Sequence, residues 1–224
     1  LIIMAIDGAC RNNGKPNCVS VGSVFVRGSN IFDLMYKEEF GSTNQRGEIN
    51  ALLLALREGA ELAKHTGETD LYIITDSEYV FNCIKKEWLT NWAIKGWITS
   101  AGEPVKNRDL WEQVYEALQA LKQLDVEVIP FHIKGHLFSL GKVTSADILR
   151  RDPTGELLYK TMFTRIIDTY DQHYDDRIRP ALELYAKNNE HAPPMEAFIE
   201  MTACNTVADL AAGAKIEQVI AGSS

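Results

Sequence analysis

Two aspartates stand where short apolar runs end. Leu1 to Ile6 is an unbroken apolar run with β-branched residues, and Asp7 follows it; Leu71 to Thr75 is a second such run, and Asp76 follows that. A carboxylate at the end of a buried strand is costly unless it is hydrogen-bonded, paired or bound to a cation. The crevice beyond strand ends is also where an α/β sheet takes its ligand. One such aspartate alone reads best as a turn former or helix cap; two in the same setting leave the structural and the chemical readings evenly balanced. Glu48 lies in the first turn of a helix that starts after Thr43-Asn44, a favourable place for an acid beside the helix dipole. Asp209 stands four residues after Asn205, so both project from one helix face, where an acid is ordinarily just solvated. If the four acids converge, the site holds only oxygen ligands. That set suits Mg²⁺ or Mn²⁺ and disfavours zinc or copper. Two such ions about 4 Å apart can activate a water and stabilise the leaving oxygen of an in-line phosphoryl displacement. Spacing leaves the convergence itself open. The four-residue spacing of His132 and His136 would suit zinc on a helix, but Gly135 and the apolar residues before it do not make a helix face.

The elements that must position these residues follow from periodicity. Leu1–Ile6, Val19–Arg27 and Ile31–Phe40 read as strands, the last two joined by the loop Gly28-Ser29-Asn30. From Asn44 the period becomes helical, with Ile49, Leu52, Leu53, Leu56 and Ala60 on one face and Thr43 or Asn44 as cap. A fourth strand, Leu71 to Thr75, leads to a helix from Ser77 to about Lys86. Trp88 to Lys106 is irregular and tryptophan-rich; Trp88 and Trp92 read as packing residues. Leu110, Val114, Leu118 and Leu121 mark a further helix with Asn107 or Asp109 near its cap, and Val126 to Ile133 is a fifth strand. The first three strands, closely linked, should be antiparallel, and the two that follow helices are candidates for parallel pairing. This is one α/β layer structure. After His136 the texture changes to helical pieces such as Leu157 to Tyr170, punctuated by Pro153, Pro180 and Pro193-Pro194, before a last helix from Met195 to Val219.

Composition excludes several classes. The 224 residues are 46% hydrophobic and 24% charged, which excludes disorder as the main state. No apolar run reaches the ~18 residues of a membrane span, and Leu1–Ile6 lacks the flanks of a signal peptide. No membrane partner is expected. The four cysteines are scattered without a C-x-x-C pair, which favours reduced thiols and a cytoplasmic location. The net charge of -8 argues mildly against coating nucleic acid by bulk charge.

The ordered motifs point the other way. Asp7-Gly8-Ala9-Cys10 is followed by Thr43-Asn44-Gln45-Arg46-Gly47-Glu48 and Thr75-Asp76-Ser77-Glu78-Tyr79-Val80. Then come Asn91-Trp92-Ala93-Ile94-Lys95-Gly96-Trp97, Pro104 to Trp111, Lys134-Gly135-His136 and Asn205-Thr206-Val207-Ala208-Asp209. This set resembles the type 1 ribonucleases H over roughly two thirds of the chain. The resemblance implies the ribonuclease H-like fold, a five-stranded mixed sheet flanked by helices. It implies an endonuclease that hydrolyses the RNA strand of RNA–DNA hybrids by a two-metal-ion mechanism, leaving 5′-phosphate and 3′-hydroxyl ends. Carried over by position, Asp7, Glu48, Asp76 and Asp209 match the metal-binding acids, for two Mg²⁺ with Mn²⁺ as substitute, and His136 matches a mobile catalytic histidine. Cys10 (through its backbone), Asn13, Asn44 and Gln45 match contacts to the hybrid, where RNA is distinguished by its 2′-hydroxyls. Thr43 and Asn107 resemble a phosphate pocket for the DNA strand, and Trp97 an aromatic along the DNA sugar path.

Two departures matter. The stretch from Trp88 to Asn107, the basic handle of lysine-rich relatives, carries only Lys95 and Lys106, which suggests weaker and more salt-sensitive hybrid binding. The last acid normally follows the glycine–histidine by about ten residues; here His136 and Asp209 are 73 positions apart. The expectation is therefore a single domain over residues 1–224, a monomer, interrupted by an inserted helical segment at about 138–199. The insertion could serve as a lid, a substrate clamp, a surface for a protein partner or a passive embellishment; long insertions cost little loop entropy when their ends lie close. The alternatives to cleavage are a non-cleaving hybrid-binding module and a related DNA nuclease.

Overall fold

A computed structural model of the chain describes residues 1–189 and 195–222. Its elements run β1 (Ile2–Arg11), β2 (Val19–Arg27), β3 (Phe32–Phe40), α1 (Asn44–Thr66), β4 (Asp70–Thr75), α2 (Glu78–Lys85), α3 (Trp88–Ile94), α4 (Arg108–Gln123) and β5 (Glu127–His132). After β5 come α5 (Lys142–Arg151), α6 (Glu156–Thr169), a π-helical turn (Tyr174–Ile178), α7 (Arg179–Asn189) and α8 (Met195–Gly222).

The five strands form one sheet in the order β3-β2-β1-β4-β5. β1 pairs antiparallel with β2, and β2 with β3; β4 pairs parallel with both β1 and β5. The sheet is thus mixed, as the connection lengths suggest: short links give hairpins, and helical crossovers give parallel neighbours. β5 carries Pro130, and it lies at the sheet's edge, where a residue without a backbone N–H is tolerated.

β1 is buried on both faces because its alternate residues serve two cores. Met4 and Ile6 pack with Val24, Leu52, Leu56, Ile73 and Trp111 on the side of α1 and α4. Ile3 and Ala5 pack with Phe25, Ile74, Leu158, Met162, Phe198 and Val207 on the side of α6 and α8. α8 comes close to the sheet through small residues: Ala203, Ala208 and Ala211 are fully buried, and the Ser23 hydroxyl donates to the Ala208 carbonyl at 2.6 Å. α1 approaches from the opposite side. A Cβ on Gly22 would lie 2.5 Å from the Gly47 carbonyl oxygen, so only glycine lets α1 lie this close to β2.

Three local expectations need correction. β1 does not end at Asp7-Gly8 but runs on to Arg11, because β2 continues to pair with it as far as Arg11↔Val19. Glu48 lies one turn deeper in α1 than the first turn, which contains no acid, so the helix dipole contributes little there. The segment after Trp88 holds a short helix, α3, before its irregular part. Trp88 and Trp92 do pack against the core.

The helices between β5 and α8 are not a separate body. Leu158, Tyr159, Met162, Ile166, Ile178, Ala181 and Tyr185 share one core with the sheet and with α8. Pro193-Pro194 lies outside the described residues.

Candidate active site

β1 and β4 bring the first two acids together. Their parallel pairing stops at Ala5↔Ile74, and the strands then part: β1 stays with β2 while β4 ends at Thr75. Asp7 and Asp76 lie just beyond that fork. Asp7 is therefore at the carboxyl end of the parallel ladder although its own strand continues. It is only 7% exposed, and its Oδ1 accepts from the Gly8 backbone N–H at 2.9 Å.

Glu48 enters from α1. A Cβ on Gly8 would lie 2.8 Å from the Glu48 nitrogen, so the glycine admits the helix at this point. One carboxylate oxygen each from Asp7, Glu48 and Asp76 lies within 4.8 Å of the others. Gly135, just after β5, closes the other side: a Cβ there would fall 2.2 Å from Asp76 Oδ2. Asp209 comes from α8 and is one of the groups that raise the Asp7 carboxyl. The His136 Nδ1 is 3.3 Å from Asp209 Oδ2. That histidine has a left-handed backbone (φ 58°) and a side chain 76% exposed.

Burial and mutual repulsion set the electrostatics of the cluster. Burial, then the Asp76 charge, then Asp209 raise the Asp7 carboxyl well above the ordinary range. Burial raises Glu48 to about 7, against a hydrogen bond from Ser77 that lowers it. Asp76 is raised by burial and by Asp209, and lowered by His136 and His132. Acids crowded in a low-dielectric cleft oppose one another's ionisation. A divalent cation relieves that repulsion, and an all-carboxylate donor set is the kind Mg²⁺ takes. The residues present therefore fit such an ion.

The other candidates surround this centre unevenly. The Asn13 Oδ1 accepts from the Asn44 backbone N–H at 3.2 Å, joining the β1–β2 turn to the start of α1. The Thr43 hydroxyl accepts from Arg46 N at 3.2 Å and caps α1. Asn107 stands at the cap position of α4 with φ 59°, yet its side chain makes no cap bond. Its Oδ1 lies 3.5 Å from Arg46 Nη1 instead. The Asn107 Nδ2 and Gln45 Oε1 are buried without a hydrogen-bond partner among the described residues. Cys10 is half-buried, opposite Ser20 on β2. Trp97 is 8% exposed, with its ring packed against Trp92 and Tyr115, so the fold turns this candidate inward.

Arg46 is the residue whose role the motif alone did not suggest. It binds Glu39 through Nε at 2.6 Å and Asp109 through Nη2 at 2.8 Å, joining α1 to β3 and α4. His132 is another. Both its ring nitrogens are engaged, by the Asp76 carbonyl and by Asn188, which leaves neither for a zinc ion.

The RNase H family model matches residues 2–152. The chain belongs to the RNase H family. A ribonuclease H of Clostridium botulinum is 37% identical over 137 residues, which covers 60% of this chain and 83% of that protein. One from Nitratidesulfovibrio vulgaris is 41% identical over 132 residues, covering 58% and 74%. A solution structure of the PFV RNase H domain superposes with a TM-score of 0.50 at 21% identity, covering 62% of this chain and 81% of that one, and shows the same fold. The chain is a ribonuclease H enzyme. The match ends at 152, so it stops short of α8 and Asp209. It includes Asp147 of α5, whose side chain is ion-paired to Arg150; neither Asp147 nor Asp209 is among the three acids that lie within 4.8 Å of one another. Asp209 is the one whose charge acts on Asp7 and Asp76.

Proposed function

We propose that the chain hydrolyses the RNA strand of RNA–DNA hybrids with two divalent cations, Mg²⁺ in the first instance, leaving 5′-phosphate and 3′-hydroxyl ends. The observation that carries this reading is the meeting of Asp7, Glu48 and Asp76 within 4.8 Å, with Asp209 near enough to raise the Asp7 carboxyl. Bound there, the cations would supply an activated water and charge stabilisation at the scissile phosphate. The chain's own residues have separate tasks. Asp7, Glu48, Asp76 and Asp209 hold the cations, and Gly8 and Gly135 let the carboxylates approach. His136 is exposed and within reach of Asp209, so it can carry a proton at the rim of the site.

Asn13, Asn44, Gln45 and the backbone at Cys10 form the side that meets the RNA. Thr43 and Asn107, at the starts of α1 and α4, take a DNA phosphate in this reading. Trp97 contributes by shaping that surface from beneath. In this reading the chain is one ribonuclease H domain, interrupted at about 138–199 by helices that fold onto its own sheet.

A labelled hybrid, double-stranded RNA and duplex DNA, each with and without Mg²⁺, test the proposal. Cleavage confined to the RNA strand of the hybrid and dependent on Mg²⁺ is expected. Binding without cleavage would support a hybrid-binding module, and cutting of duplex DNA would support a DNA nuclease.

A further inference from the structure

His132 closes β5 and is 6% exposed. Its Nε2 lies 3.2 Å from the Asp76 carbonyl oxygen, and its Nδ1 lies 2.6 Å from the Asn188 amide nitrogen. A side-chain amide N–H can only donate, so Nδ1 accepts. The proton of the neutral ring then sits on Nε2 and is donated to the Asp76 carbonyl. Turning the amide round would put the proton on Nδ1 and leave Nε2 facing a carbonyl with no hydrogen between them. The ring is backed by Phe81, at 5.6 Å between centroids.

The backbone of the same residue is held as well. β5 is an edge strand, and its outward N–H and C=O groups have no neighbouring strand. Asn189 supplies what a strand would. Its Oδ1 accepts from His132 N at 3.0 Å, and its Nδ2 donates to His132 O at 2.8 Å and to Tyr185 O at 3.0 Å. Asn188 and Asn189 end α7, inside the segment that separates β5 from α8.

We propose that Asn188 and Asn189 are positioning residues for Asp76, acting through His132. The inserted helices thereby set the geometry of the metal site. This rests on the reading above, in which Asp76 holds a cation. Asp76 belongs to the short link between β4 and α2, with Gly135 pressed against its carboxylate. Fixing its carbonyl from behind fixes the peptide from which the carboxylate projects. Partners of this kind, one bond behind a ligand, typically change metal affinity or activity by about 10–100-fold when removed.

The full-length chain with His132→Phe keeps a ring against Phe81 and loses both hydrogen bonds. His132→Gln keeps one donor and one acceptor, and Asn188→Ala removes the outer partner alone. Two quantities are read for each: Mn²⁺ affinity by calorimetry without substrate, and kcat and KM on a hybrid well below the melting temperature. His132→Phe should lose about tenfold in both Mn²⁺ affinity and kcat, with KM for the hybrid little changed. His132→Gln should recover most of that loss, and Asn188→Ala should fall between. Unchanged Mn²⁺ affinity and kcat in His132→Phe, even with a lowered melting temperature, would overturn the proposal. Equal losses in the Phe and Gln variants would do the same, since bulk and not the donor would then matter. Should His132→Phe fail to fold, Asn188→Ala decides by the same two readouts. Asp76→Asn is measured beside them: if it keeps metal binding and cleavage, the metal-site reading itself fails. If it loses them while His132→Phe and Asn188→Ala do not, only the positioning role falls.

Discussion

At the scale of single residues, the acids work against the fold that holds them. Glu48 is raised by burial to about 7 from 4.5. Between those values the folded chain binds more protons than the unfolded one, so metal-free stability falls as pH rises through this window. Glu48→Gln removes the cost. It should raise the metal-free melting temperature at pH 8 by a few degrees and leave it nearly unchanged at pH 4, while activity is lost. A melting temperature lowered at pH 8 would contradict the account. Asp7→Asn should likewise abolish cleavage and leave the fold intact. Gly135→Ala should be nearly as damaging as losing an acid, because the added Cβ would lie 2.2 Å from Asp76 Oδ2; residual cleavage near the wild-type rate would show that the contact yields. Residue types and order singled out Asp7, Glu48 and Asp76, which the fold brings within 4.8 Å of one another. They did not show why Gly135 must be glycine or that His132 turns toward Asp76, since both depend on the path of β5 past the end of β4.

Among the elements, caps carry site residues. The Ser77 hydroxyl accepts from Val80 N at 3.2 Å at the start of α2, and the same residue holds the Glu48 carboxyl down against its burial. Ser77→Ala should cost about 1 kcal/mol as a lost cap and push Glu48 further up. Activity should then require a higher pH than wild type does, as a pH–rate profile would show; a profile that stays put would separate the cap from the site. The helix at Asn44 and its Thr43 cap were legible because a change of hydrophobic period coincides with a good capping residue. The length of β1 was not. Asp7-Gly8 reads locally as a turn, and only the partner strand β2 shows that the chain stays extended. α3 was missed because its tryptophans do not follow a simple helical stripe.

For the whole molecule, the net charge of -8 and the handle's two lysines, Lys95 and Lys106, bear on how a hybrid is held. Each phosphate contact steepens the fall of binding with salt by about 0.7–0.9 in a log–log plot. A chain with few cations at the hybrid therefore binds more weakly but with a shallower salt dependence, which corrects the expectation that weak binding is also more salt-sensitive. A titration with the non-cleaving Asp7→Asn variant, beside a lysine-rich relative, should show the smaller slope here. An equal or steeper slope would point to basic contacts elsewhere, such as Arg150 and Lys142 in the groove that α5 and α8 form beside Asp209. An interruption after His136 is what the distance from His136 to the Asn205–Asp209 motif suggests. That its helices share the core of the sheet was not legible there, since their apolar residues fit an independent bundle equally well.

In the proposed function, Asp209 of α8 supplies the last acid of the site, beyond the proposed interruption. The rate of Mg²⁺-dependent hybrid cleavage by Asp209→Asn, set against Asp147→Asn, tests it most directly. Loss of cleavage in Asp209→Asn with a near wild-type rate in Asp147→Asn is predicted; the reverse pattern would contradict the account.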